Sequence, residues 1–440
     1  MTSEECYRLV SQDYRNFNKQ VLKKNEHSRG FEFASKAIDF PMRLRLSHDS
    51  YLIPRYFSCQ THVLIRLLSK VALRLISLGG VIGELDVLVR AQAMSGPADQ
   101  YFFKALRQRR ISSAGSAFKP AGLNIVRYCL RGAWIFDLIN ASLDSRSYLG
   151  ERINSVDDLD EFLLDKSALE HLDCLGRKDV ARVEGLFRAL GLKSILVHTD
   201  QSVLGVVLAL AAKNLKIRSG VLAHGYFKNL QMVSVLPLHM DAIFVWSQDT
   251  ADLIGACSGN DSKTKVFTLA GVKKGIVKRR RQQEKILVVG TPLNSYKNVS
   301  DSEFVTTLNR IFLPLVHSGV CVVYAFHPLS GRDYEVLQSL PWLKFARKDV
   351  YFEASNAKVV VGGNSSFLFE AAESGVQAIQ MPELCTGSIC QEMRGVDVVR
   401  GEELGDFYRS MSSEAHRAKV DSAPKFGPLL DFLECGKLGG

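Results

Sequence analysis

Three short segments set histidine, hydroxyl and carboxylate side chains at spacings that suit phosphate binding and proton transfer. The first is Lys358–Met381, KVVVGGNSSFLFEAAESGVQAIQM. A run of valines leads into Gly362-Gly363, where the missing Cβ atoms let the backbone come close to a ligand. Asn364, Ser365 and Ser366 follow, at the predicted start of a helix. Unpaired N–H groups and the helix dipole favour an anion there, and the hydroxyls add donors. Glu370 comes about one turn after Ser366, where a carboxylate can accept hydrogen bonds from ribose hydroxyls. The same residues also suit a plain helix start, with Asn364, Ser365 and Ser366 as caps and Glu370 in solvent.

The second segment is Tyr324–Gly331, YAFHPLSG. Pro328 ends a strand and turns the chain, which presents His327 at the strand end. Its ring N–H can contact a phosphate, or its proton can pass to a departing one. Arg332 adds positive charge nearby in sequence. The third segment is Leu222–Lys228, LAHGYFK, where Gly225 frees the backbone beside His224. A histidine there can act as general base on an acceptor hydroxyl. Asp200, at the end of a neighbouring strand, is a rival base, with Asp241 and Asp249 behind it. Either histidine also suits a structural hydrogen bond.

The elements that must position these residues are short apolar runs alternating with helices. Strands are expected at Ser194–Val197, Gly220–Ala223, Ala242–Trp246 and Val266–Leu269, then at Lys285–Val289, Val320–Phe326, Val359–Val361 and Ala378–Met381. Helices are expected at Ser202–Lys213, Ser302–Ser318 and Phe367–Ser374. Apolar strands alternating with helices argue for parallel sheets covered on both faces. Ligands of such sheets bind outside the carboxyl ends of the strands. His198, Asp200, His224, Ser247, Thr291, His327, Ser365 and Ser366 all fall at those ends. The expectation is an α/β fold of two Rossmann-like lobes behind a helical N-terminal extension. Its divisions are a helical, basic region over 1–178, part of or packed on an acceptor lobe at 179–272; a basic linker at 273–284; and a donor lobe at 285–440.

A chain of 440 residues is too long for one ordinary core. Its 46% hydrophobic and 23% charged residues are those of a globular protein, with Met1–Glu26 polar enough to be loose. Nine scattered cysteines without knuckle spacing suit a reducing, cytoplasmic compartment. No metal motif, P-loop or nucleophile elbow occurs, so no metal and no cofactor are expected. The net charge of +10 resides in residues 1–130, with about 20 basic against about 10 acidic residues. Within that stretch, Arg66, Lys70 and Arg74 fall on one face of an apolar helix at His62–Ser77. Such a helix can lie on an anionic membrane, making the protein peripheral on its inner face, or can cover a core with a solvated basic stripe. No nucleic-acid motif accompanies the charge.

Together, His-Gly at a strand end, His-Pro at another, and Gly-x-Ser-Ser-x-x-x-Glu-Ala-x-x-x-Gly resemble the GT-B glycosyltransferases of bacterial surface polysaccharide synthesis. These include capsule and lipopolysaccharide sugar transferases and CDP-glycerol glycerophosphotransferase-like enzymes. The resemblance spans roughly 194–399. It implies a nucleotide-activated sugar, CMP- or UDP-linked, as donor substrate, and a glycan or lipid-linked glycan as acceptor. It further implies donor-phosphate contacts from His327, Ser365 and Ser366, ribose contacts from Glu370, and His224 as base. Thr291, Arg332 and Asn364 complete the expected donor site. Two other enzyme readings share this fold, a nucleotide-sugar 2-epimerase and a polyol-phosphate transferase. A third reading is a non-catalytic, membrane-docked scaffold.

Overall fold

The computed structural model describes residues 3–46, 63–79, 85–90, 97–109, 113–115, 134–223, 236–258, 263–269, 283–291, 300–327, 333–347, 349–385, 393, 395–411 and 426–434. The chain divides into two compact units, Met1–Ala270 with Phe426–Gly440, and Gly271–Lys425.

The first unit holds a six-stranded sheet of β1 (Val87–Arg90), β2 (Ser113–Gly115), β3 (Ser194–Val197), β4 (Arg218–Leu222), β5 (Ala242–Val245) and β6 (Lys265–Thr268). The order is β2-β1-β3-β4-β5-β6, and every pairing is parallel. β3 and β5 are buried at every position, as strands covered on both faces must be. The helix Val203–Leu215, between β3 and β4, is buried along nearly all its length. Ser202 caps it by accepting from the Gly205 N–H at 3.1 Å. A Cβ on Gly205 would lie 2.6 Å from the Asp200 backbone, so only glycine permits this tight turn from strand to helix.

The second unit holds β7 (Gln283–Val289), β8 (Cys321–Ala325), β9 (Lys344–Phe345), β10 (Ala357–Gly362), β11 (Gln377–Gln380) and β12 (Asp397–Val398). They are ordered β12-β11-β10-β7-β8-β9, again all parallel. Numbered within the unit, this is the doubly wound Rossmann order, with its switch point between β7 and β10. The helix Asp301–His317 after β7 buries Phe304, Leu308, Ile311, Phe312 and Leu315, an apolar stripe of helical period. Ser300 and Glu303 form the capping box that starts it. Each unit is thus an α/β parallel sheet, as the alternation of apolar runs predicts.

Several boundaries differ from the expected ones. The N-terminal third is not only helical, since β1 and β2 belong to the first sheet. Ser3–Lys24, expected to be loose, is a helix with Val21 fully buried. The boundary expected after residue 178 falls inside the helix Lys166–Ala189. Two carboxylates of that helix cap its neighbours across the fold. Asp173 accepts from the Phe33 and Ala34 N–H groups, and Asp179 from those of Asp144 and Ser145. Gln283 and Glu284, assigned to a linker, are the first residues of β7; residues 273–282 lie outside the described residues.

The helix Gly427–Glu434 was expected in the donor lobe but belongs to the first unit. Arg218 donates to the Phe432 and Leu433 carbonyls at 2.5 and 3.1 Å, and Arg109 pairs with Asp431 and Glu434. Partners more than 200 residues apart leave no local mark in a sequence.

The helix Val63–Gly79 is turned opposite to expectation. Ser69, Leu73 and Ile76 face the core. Arg66 and Lys70 point toward Asp144, at 3.7 and 2.6 Å, beside Arg182 at 3.1 Å. They are therefore not available as a cationic stripe for a membrane, and of the three only Arg74 is exposed. The reason is local. Burial pushes the Asp144 carboxyl up, but hydrogen bonds and charge from Lys70 and Arg182 outweigh it and hold it below the usual range.

Candidate functional site

At the switch point of the second sheet, β7 and β10 are neighbours whose following connections leave on opposite sides. β7 ends at Gly290-Thr291, and β10 ends at Gly362, followed by Gly363, Asn364, Ser365 and Ser366. Five of the proposed donor-site residues therefore come to the mouth of one sheet or to the first turn beyond it: Thr291, Asn364, Ser365, Ser366 and Glu370.

Each has a definite local setting. Thr291, Asn364, Ser365 and Ser366 are half-buried. Ser365 is the N-cap of the helix Ser366–Glu373, and its hydroxyl oxygen accepts from the Phe367 N–H at 3.3 Å. A hydroxyl that accepts in this way keeps its own hydrogen to donate. Asn364 accepts from the buried Gln380 amide at 3.0 Å, which fixes the asparagine side chain. Glu370 is 7% exposed and accepts from the Tyr351 hydroxyl at 2.7 Å. The alternative of a solvated glutamate is excluded, since the side chain is buried against Tyr351 of the helix Val350–Asn356. Burial and the neighbouring Glu370 and Asp349 charges push the Tyr351 phenol far up, so it stays a donor at any working pH. Tyr351 also stacks edge-on against Phe367, with ring centroids 5.0 Å apart. No sequence signal marked Tyr351 or Gln380, because both act through tertiary contacts.

The glycine pair has a reason within the protein's own fold. A Cβ on Gly363 would fall 1.6 Å from the Leu384 carbonyl oxygen, and one on Gly362 would fall 3.1 Å from that of Val289. The protein's own backbone requires glycine at 363 and leaves a tight fit for a Cβ at 362. Gly290 is similarly fixed, since a Cβ there would meet the Tyr324 hydroxyl at 2.3 Å.

His327 follows β8, one strand away from β7, and is exposed at the strand end. Burial pushes its imidazolium down, partly opposed by Asp333. A ring that is neutral at pH 7 fits N–H donation to a phosphate better than storage of a proton. Phe326, Tyr334 and Phe345 form an aromatic group beside it in the chain, with centroids 5.0–6.1 Å apart. Arg332 lies outside the described residues.

The first unit has a switch point of its own, between β1 and β3. Asp200 lies there, 1% exposed. Its carboxylate accepts from the His239 and Met240 N–H groups at 2.5 and 3.2 Å and from the Gln201 amide at 2.8 Å. Gln201 in turn accepts from Arg43, a fully buried arginine that pairs with Asp39 at 3.0 Å. Burial pushes the Asp200 carboxyl up, against the pull of those donors. Asp200 is thus the brace of a buried network and is not presented as a base, which corrects that assignment. Ser247 is also engaged locally, capping the helix Gln248–Ser258 through the Thr250 N–H at 3.1 Å. Asp241 accepts from the Ser219 N–H and hydroxyl, both at 2.9 Å. His224 lies outside the described residues.

The fold and this site define a doubly wound α/β protein of two parallel-sheet units. No protein-family model matches the chain, and no curated protein does. Among solved structures it is similar to the UDP-GlcNAc 2-epimerase of Methanocaldococcus jannaschii in complex with UDP-GlcNAc and UDP. That likeness has a TM-score of 0.46 and 13% identity, over 77% of this chain and 96% of that one. The Neisseria meningitidis UDP-GlcNAc 2-epimerase bound to UDP-GlcNAc gives 0.43 and 12%, over 74% and 91%. MurG of Acinetobacter baumannii gives 0.35 and 12%, over 75% and 90%. The fold stands on the strand orders of its two sheets.

Proposed function

We propose that this chain is a GT-B glycosyltransferase moving a sugar from a nucleotide-activated donor to a growing cell-surface glycan of capsule or lipopolysaccharide type. The observation that carries this reading is the coincidence of the β7/β10 switch point with Asn364, Ser365, Ser366 and Glu370. A doubly wound sheet binds nucleotides at this crevice.

In this reading the donor phosphate sits at the N-terminus of the helix Ser366–Glu373, with the Ser365 and Ser366 hydroxyls donating to it. His327 adds a neutral N–H. Glu370, held by Tyr351, accepts from the ribose hydroxyls. During transfer the bond from the anomeric carbon to the phosphate oxygen breaks as the acceptor oxygen bonds to that carbon. The acceptor proton passes to a base, for which His224 is the proposed residue. Charge developing on the departing CMP or UDP is met by the same N–H and hydroxyl donors, which need no reorganisation as the reaction proceeds. The residues named supply this stabilisation without a metal ion.

Isothermal titration of the purified chain with CMP, UDP, GDP and CDP-glycerol tests the donor site. The expected outcome is one nucleotide binding well below millimolar, with the affinity lowered about tenfold in Ser366→Ala. Failure of all four to bind below millimolar sinks the assignment.

A further inference from the structure

The helix Val63–Gly79 presents its apolar side outward. Ile65, Leu67, Leu68, Val71, Leu75 and Leu78 are 49–75% exposed. At about 100° per residue they cover roughly 160° of the helix circumference. The side turned inward is the one that carries Arg66 and Lys70, held at Asp144. This reverses the usual arrangement, in which the apolar face of a surface helix covers the core. Contiguous exposed apolar surface of this kind marks a site of interaction.

We propose that this face docks on an anionic phospholipid bilayer, with the helix lying in the headgroup region parallel to the surface. Two observations favour lipid over a protein partner. The exposed arc is wider than the narrow seam that a single partner helix covers, whereas a bilayer solvates the whole of it. The charge is complementary as well. The helix carries no Asp or Glu, and the exposed Arg74 flanks the stripe. The chain as a whole carries a net charge of +10. No helix among the described residues is long and apolar enough to cross a membrane, so the geometry is one of lying on the surface. The residues that bind lipid are then the leucines and Arg74, not Arg66 and Lys70. The inference is independent of the chemistry proposed above.

The test is co-sedimentation of the full chain with phosphatidylcholine vesicles, with and without phosphatidylglycerol. The wild-type chain is expected to bind the phosphatidylglycerol vesicles. Leu68→Gln with Leu75→Gln should weaken that binding on the order of tenfold or more, because both side chains lose apolar burial. The melting temperature of this double variant should not change, since the replaced side chains are exposed. Arg74→Glu should weaken binding about fivefold or more, and only on vesicles with phosphatidylglycerol. Wild-type chain staying in the supernatant with both vesicles overturns the proposal. So does a double variant that binds as the wild type does. A melting temperature lowered by several degrees would mean that the face is packed within the chain. A lipid-free dimer in analytical ultracentrifugation that the double variant dissociates would assign the stripe to a second copy. Either result also overturns the proposal.

Discussion

The two sheets of this protein are built alike and have switch points of opposite character. In the second unit the crevice between β7 and β10 is edged by Thr291, Asn364, Ser365 and Ser366, all half-buried. In the first, the residue after β3 that looked most like a base, Asp200, is buried within a network of Gln201, Arg43, His239 and Met240. Both regions place polar residues at strand ends. One leaves hydroxyls at the edge of a crevice; the other uses its carboxylate to hold a loop. Position at a strand end therefore marks a candidate, and the partners of the side chain decide its role.

The contrast predicts that damage at the first switch point is felt in stability and damage at the second in binding. The largest effect should come from Asp200→Ala. It leaves a buried N–H, a partly buried N–H and a buried amide without their acceptor, at a cost on the order of 3–5 kcal/mol in urea unfolding. A loss below about 1 kcal/mol would erase the distinction between the two regions.

His239 gives the next largest effect, through pH. Burial, with Lys36 and Arg43 nearby, pushes its imidazolium down from 6.5 to about 3. A folded state that prefers the neutral ring is fully stabilised above 6.5 and loses that stability as pH falls toward about 3. The slope is roughly 1.4 kcal/mol per pH unit at most. Urea midpoints measured across this range should fall with pH in the wild type and flatten in His239→Gln. An equal slope in both would show that this ring does not carry the effect.

At the second switch point, Ser366→Ala should weaken nucleotide binding about tenfold, from loss of a hydroxyl donor to a charged phosphate. Its unfolding free energy should move by less than about 0.5 kcal/mol. Ser365→Ala sharpens the comparison with the smallest stability change that should still be measurable. It removes a helix cap, so it should lower stability by about 1 kcal/mol while also weakening the nucleotide. If Ser366→Ala destabilises as Asp200→Ala does and leaves nucleotide affinity intact, the two regions have the same structural role.

Much of the frame was legible in the residues. Strands β3 to β8, β10 and β11 lie within two or three residues of the apolar runs that predict them, because buried parallel strands are continuous hydrophobic segments. The helices after β3, β7 and β10 begin at Ser202, Ser300 and Ser365, each of which caps its helix. β1 and β2 were missed because three or four residues in a basic region give no periodic signal. β9 and β12, of two residues each, give even less. Within the site, Ser365 and Ser366 were legible from composition and spacing. The burial of Glu370 beneath Tyr351 was not, because it depends on where a separate helix comes to rest.

That the chain is α/β, with a serine-capped helix after a valine strand, follows from the residues alone, since local propensity and hydrophobic period act over a few residues. What each polar group is for emerges from contacts between distant segments. The tertiary structure gave Gly363 to the Leu384 carbonyl, Asp200 to a loop, and Arg66 and Lys70 to Asp144, leaving leucines to face outward. A buried charge or donor must find a partner, and the partner comes from wherever the fold brings one.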